Sequence, residues 1–131
     1  MIGLDTNVLV RYVAQDDLKQ SPKATAFIES LSAANQGFIT AVSIVELVWV
    51  MQGCYDASKD EVVAVLEKLL RIRSIAVENA EIVLKALHSY SNSSADFADC
   101  LIERTAHGAG CSDTMTFDKA AAKSAAMKLI G

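Results

Sequence analysis

Five acidic residues carry the chemistry open to this chain: Asp5, Glu46, Asp96, Asp99 and Asp118. Asp5 ends the apolar run Met1-Ile2-Gly3-Leu4, the profile of a buried strand that delivers an acid to the rim of a sheet. Val8, Leu9, Tyr12 and Val13 follow at helical spacing, so Asp5 falls in a strand-to-helix turn, where the sites of open α/β sheets collect. Asp is also a good helix N-cap, and a lone Asp at a strand end means no more than that. Glu46 stands in a helix that is apolar nearly all round, and it has two readings. Ser43-Ile44-Val45-Glu46 matches a capping box, which makes Glu46 a local structural acid; if Thr40 is the cap, Glu46 lies in the second turn. Asp96 and Asp99 are three apart and share a helix face, with Glu103 four beyond Asp99. In a first turn the helix dipole favours each by about 0.3 to 1 kcal/mol, so both are expected to stay ionised, and ordinary first-turn enrichment alone explains them.

Together the acids say more. Two carboxylates about 4 Å apart repel by roughly 4 kcal/mol at an effective dielectric of 20, so a cluster of four requires protonation or a divalent cation. His88 and His107 are isolated and form no ligand pair, and all-oxygen donors select Mg²⁺ or Mn²⁺ over zinc. Mg²⁺ in an acidic pocket keeps waters and takes further ligands from phosphate oxygens, which points to phosphoester chemistry. No Ser-His-Asp or Cys-His arrangement and no phosphate-cradling glycine loop competes, so the attacking group is water.

The elements that must position these acids alternate. Helices are expected from Asp5 to about Ala14, from a Ser21-Pro22 start, after Thr40, after the Ser58-Lys59-Asp60-Glu61 capping box, after Asn79, and from near Ala95 to His107. Strands are expected at Phe38-Ile39, Ile75-Ala76-Val77 and Cys111 to Phe117, with a polar loop at Ser89 to Ser94, a short Ala-rich helix after Asp118 and a final Met127 to Ile130 segment. Such alternation implies an α/β fold with a mostly parallel sheet covered on both faces, whose one rim can gather the acids.

The chain has 131 residues, 52% of them hydrophobic, enough for a single domain with its own core. Cys54, Cys100 and Cys111 are scattered and form no Cys-x-x-Cys, which suggests reduced thiols in a cytoplasm, with small core residues as their default role. No basic-then-apolar leader pattern opens the chain, and no apolar run approaches the roughly 18 residues that span a bilayer, so no membrane role is expected. The net charge of −4 argues against a nucleic-acid partner until the five acids are set aside as metal-neutralised, which leaves +1 for the rest.

Four segments resemble the motifs of PIN-domain ribonucleases of the VapC toxin type: Leu4-Asp5-Thr6-Asn7-Val8-Leu9-Val10-Arg11-Tyr12, Thr40 to Leu47, Asp96 to Ile102, and Thr116-Phe117-Asp118-Lys119. Each is weak alone; in order and at this spacing they cover essentially the whole chain. The resemblance implies a PIN-like three-layer α/β/α sandwich spanning 1–131 as one nuclease domain. It also implies Mg²⁺- or Mn²⁺-dependent endonucleolytic cleavage of RNA, tRNA and other structured RNAs being candidate substrates, together with a homodimer and a cognate antitoxin whose tail covers the site. Asp5, Glu46, Asp99 and Asp118 match the acidic quartet, and Asp96 a position where a further acid is frequent. Thr6, Asn7 and Thr116 lie beside them as candidate hydrogen-bond partners. Asp113 is a weaker match for the fourth acid. Arg11 is a candidate RNA contact, while Arg104, Lys119 and Lys123 read first as solvated charges.

The mechanism expected on this basis is in-line attack of metal-activated water on phosphorus, with Asp5 and Asp99 as principal ligands and Glu46 and Asp118 direct or through water. Two alternatives stand beside it. A haloacid-dehalogenase-type phosphatase also opens on a strand ending in Asp, but that family wants a second Asp where Asn7 stands. A PIN-like binding domain without turnover would keep the fold alone. Trp49, Val50, Met51, Cys54 and Tyr55 are either interior packing or part of a partner surface.

Overall fold

The computed structural model describes all residues from Met1 to Gly131. They form two compact units, Met1–Glu78 and Asn79–Gly131.

In the first unit, β1 (Ile2–Gly3), β2 (Gly37–Ile39) and β3 (Ile75–Val77) form a parallel sheet in the order β1-β2-β3. The register pairs Gly3 with Phe38 and Phe38 with Ala76, and the ladder continues past the strands through Leu4 N to Phe38 O at 2.8 Å and Glu78 N to Ile39 O at 2.8 Å. Between the strands run α1 (Thr6–Ala14), α2 (Gln20–Glu29), α3 (Ala41–Cys54) and α4 (Lys59–Arg71). Their core is Leu9, Ile28, Ile39, Ile44, Leu47, Val48, Val62, Leu66 and Leu69, all buried. Gly37 is glycine for want of room: a Cβ there would sit 2.8 Å from Cδ1 of both Leu4 and Leu31, themselves in the core.

The starts of these helices differ in how well sequence foresees them. Thr40 caps α3, its Oγ1 accepting from Ser43 N at 3.1 Å, and Ser58 with Glu61 forms the expected reciprocal capping box on α4. The Ser21-Pro22 start is corrected: α2 begins at Gln20, and the carboxylate of Asp17 accepts from Lys19 N at 2.9 Å and Gln20 N at 2.7 Å. Ser21 is instead buried inside the first turn, within 3.3 Å of Asp17 N. Those amide bonds hold the Asp17 carboxyl below the usual carboxylate range.

In the second unit, α5 (Ala80–Ser91) and α6 (Phe97–Gly108) pack against each other, with Tyr90 and Phe97 in an edge-to-face contact at 5.7 Å. A parallel pair follows, β4 (Met115–Thr116) and β5 (Lys128–Leu129), joined through α7 (Lys119–Ser124). Asn79 holds the N-cap position of α5 in the left-handed region at φ 50, but its side chain caps nothing. The polar serine stretch begins as helix, since α5 runs on through Ser91. The strand expected over Cys111 to Phe117 is two residues long, because Cys111 to Thr114 carries too little apolar side chain to pack as a strand. Only Cys100 is the buried cysteine expected of all three; Cys54 and Cys111 are exposed, and none forms a disulfide. No helix is long and apolar enough to cross a membrane.

Candidate functional site

Register places Asp5 and Thr40 alike, each two residues beyond the pair Gly3 and Phe38 at the carboxyl ends of neighbouring parallel strands. Both turn at once into helices, and both have extended backbone at the N-cap of the helix they start. The Asp5 carboxylate accepts from Thr6 N at 2.9 Å, which leaves its second oxygen free and the side chain exposed. From the first turn of α1, the Thr6 hydroxyl lies 2.7 Å from Glu46 Oε1 and 3.1 Å from Ser43 Oγ. It has one proton, and the shorter contact to an anion takes it. Glu46 therefore lies in the second turn of α3, tied to the helix that Asp5 caps, and the capping-box reading of Ser43 with Glu46 does not hold.

Ser43 completes this cluster, and sequence reasoning missed it as a site residue. It is buried, 3.2 Å from Thr40 Oγ1, and it backs Thr6 from below. The available signal was its place three residues before Glu46, hence on the same helix face. Asn7 is exposed and makes no side-chain hydrogen bond to either acid. It lines a groove with Arg11, whose Nε donates to Gln20 Oε1 at 2.7 Å and whose Nη1 lies 3.8 Å from Asp16.

The second unit gathers the remaining acids. Asp96 occupies the N-cap of α6 and its side chain makes no cap bond; Asp99 is in the first turn. Asp118 lies two residues beyond β4 and caps α7, accepting from Ala120 N at 2.8 Å and Ala121 N at 3.3 Å, and Thr116 Oγ1 accepts from Asp118 N at 3.0 Å. The Asp99 carboxyl is raised above its ordinary value, first by burial and then by the negative charges of Asp96 and Asp118. Burial and like charge thus act on Asp99 against the helix dipole. Asp113 is exposed and is not among the charges acting on Asp99. Arg104 is engaged by Glu103 at 2.6 Å and 3.0 Å, which holds its guanidinium above its ordinary value.

The donors in both clusters are carboxylates and hydroxyls, with no imidazole or thiolate among them, which fits a hard divalent cation. Within neither unit do three acid, His or Cys side chains form a ready-made cage. A cation that keeps several waters needs none: one or two carboxylates with water bridges suffice. The raised Asp99 carboxyl is what such an ion relieves, since carboxylates kept close against their repulsion gain most from a double positive charge.

Apolar surface stands near the first cluster. Val42, Glu46 and Trp49 share the exposed face of α3, with Trp49 57% exposed. Val50, Met51 and Tyr55 line an apolar cleft of about 210 Å³ with Val10 and Leu47. Of the five residues read as packing or partner surface, only Met51 is buried.

Comparison with known proteins agrees with this arrangement. A curated VapC ribonuclease from Aquifex aeolicus (strain VF5) is 25% identical over 116 residues, covering 88% of this chain and 86% of the relative. The model of the PIN domain matches residues 2–126, from β1 into the last residues before β5, with all five acids inside the match. Parallel strands alternating with seven helices are those of its three-layer α/β/α architecture, and the chain belongs to the PIN-domain family.

Proposed function

We propose that the protein is a divalent-metal-dependent endoribonuclease, the toxin of a type II toxin-antitoxin pair, in which Asp5, Glu46, Asp99 and Asp118 together form the metal centre. The observation that carries the reading is Asp99, its carboxyl raised first by burial and then by the charges of Asp96 and Asp118, because acids so placed are retained where a cation will offset their charge. Family membership and the VapC relative support RNA as the substrate. The match from 2 to 126 runs through both compact units and supports one domain over 1–131.

Mg²⁺ or Mn²⁺, when bound, supplies a water acidic enough to ionise near neutral pH and positive charge for the phosphoryl oxygens. Asp5 and Asp99 would be its principal ligands, and Glu46 and Asp118 would hold it directly or through water, with Asp96 a further candidate. Thr6 fixes the Glu46 carboxylate by its 2.7 Å hydrogen bond, and Thr116 anchors the backbone of Asp118. Arg11, oriented by Gln20, faces the phosphates next to the scissile one. In the cell the protein acts in the cytoplasm as a homodimer. A cognate antitoxin covers the site, and the apolar cleft lined by Val50, Met51 and Tyr55 offers it a foothold.

The test incubates RNA with Mn²⁺ and either wild-type protein or Asp99→Asn. Cleavage by the wild type alone, with 5′-phosphate and 3′-hydroxyl ends, is expected. Equal cleavage by both removes the proposed centre, and cleavage by neither favours a binding domain. A 2′,3′-cyclic phosphate end would make the ribose hydroxyl the nucleophile.

A further inference from the structure

Clefts on the first unit differ in charge. The apolar one described above includes Glu61, and another of about 320 Å³ includes Glu29 with Lys68. The third, about 280 Å³, lies between α1 and α2 and is lined by Asn7, Val8, Arg11, Gln20, Lys23 and Phe27, with no carboxylate among its lining residues. In a chain of net charge −4, a groove with two cations and no acid is a local reversal of sign. Arg11 has Asp16 as its carboxylate partner, at 3.8 Å, a long and solvent-screened pair that leaves the guanidinium able to take a phosphate.

The groove runs along the helix that Asp5 caps, although Asp5 itself does not line it. Asn7 and Val8 stand on the first turn of that helix, and Arg11 lies about 9 Å from Asp5 along its axis at 1.5 Å per residue. A nucleic-acid strand whose scissile phosphate sits at Asp5 spans that distance within a few nucleotides. Across the groove, Lys23 is exposed and Phe27 is 41% exposed, one turn apart on the same face of α2. A cationic rim with an aromatic face beside it is the chemistry that holds unpaired nucleotides: phosphates on the cations, a base on the ring.

Resting on the ribonuclease reading, we infer that the groove between α1 and α2 is the track for a single-stranded stretch of the RNA substrate, Arg11 and Lys23 contacting its phosphates and Phe27 stacking on an unpaired base. The wall of the track also sorts substrates. A duplex cannot offer a base face to Phe27, so the nucleotides next to the cut must be unpaired.

The test measures binding of an unstructured oligoribonucleotide and of a fully paired RNA to the full chain in EDTA, where no turnover is needed. Variants are Lys23→Glu, Phe27→Leu, which keeps apolar bulk without a flat face, and Phe27→Trp. Both positions of change are exposed, and unchanged melting temperatures check the fold. Lys23→Glu and Phe27→Leu are each expected to weaken the unstructured RNA about tenfold, Phe27→Trp to bind like the wild type, and Lys23→Glu to lower the salt slope by about one. Wild-type affinity in both weakened variants, or no binding by the wild type, overturns the track. Equal losses on paired RNA overturn its single-strand character. RNA that the wild type binds normally but leaves uncut with Mn²⁺ counts against the ribonuclease reading and not against the groove.

Discussion

Asp99 shows how one residue reports a site. Its neighbours and burial favour the protonated form, so the native state holds that proton more tightly than the unfolded chain does. The sign follows: Asp99 costs nothing below its unfolded pKa and destabilises increasingly as pH rises through the window up to its raised folded value. Asp99→Asn removes that cost. In thermal melts with EDTA, the variant is expected to match the wild type at acid pH and to exceed it at neutral pH, the gap closing when Mn²⁺ is added to the wild type. Its ribonuclease activity should fall at least about 100-fold. A wild type already as stable as Asp99→Asn at neutral pH in EDTA would mean the carboxylates are not strained. Thr6 acts through Glu46 and not on substrate. Thr6→Val keeps the shape, loses the 2.7 Å hydrogen bond, and should cost about 10- to 100-fold in kcat; Thr6→Ser should restore most of it.

At the scale of elements, the acids are held by strand ends and helix starts, and this is where the sequence was most and least legible. The Met1 to Leu4 run, the Thr40 cap and the Ser58 capping box are local signals, and each marks its element, although β1 is exposed at both its residues and not the buried strand expected, with only Leu4 after it in the core. Glu46 had two readings because Ser-x-x-Glu is ambiguous until the true cap is known; with Thr40 holding Ser43 N, its carboxylate is freed to face Thr6. The shift on Asp99 was not legible, since its first cause is burial, which a first-turn position does not announce, and the charges of Asp96 and Asp118 only add to it. Nor was the role of Asp17, whose carboxylate replaces a cap that Ser21 was better placed to suggest. Gly37 is a further hidden constraint, because its reason is the closeness of Leu4 and Leu31. Gly37→Ala gains about 0.5 to 1 kcal/mol in unfolded-state entropy but overpacks two core leucines at about 1 to 3 kcal/mol. The expected net loss is about 1 kcal/mol, seen as a Tm lower by a few degrees, with weakened activity because β1 carries Asp5.

At the scale of the molecule, Asp5 and Glu46 lie on the first unit and Asp99 and Asp118 on the second, and if one ion is shared among them the units fold together. The second unit is shorter than the roughly 60 residues at which isolated domains become marginal, and its sheet is a single pair of two-residue strands. One cooperative transition is therefore expected. Trp49 is the one tryptophan and lies in the first unit, while Cys100 is a buried thiol in the second, so the chain carries a probe in each. Denaturant curves from Trp49 fluorescence and from thiol labelling in a Cys54→Ser, Cys111→Ser background should superimpose. Adding Mn²⁺ should move both midpoints upward together, by about 2.7 kcal/mol at a metal concentration 100-fold over its Kd. Curves that separate, or a shift confined to one probe, would mean that the ion is held by one unit alone and that the four carboxylates do not act as one centre.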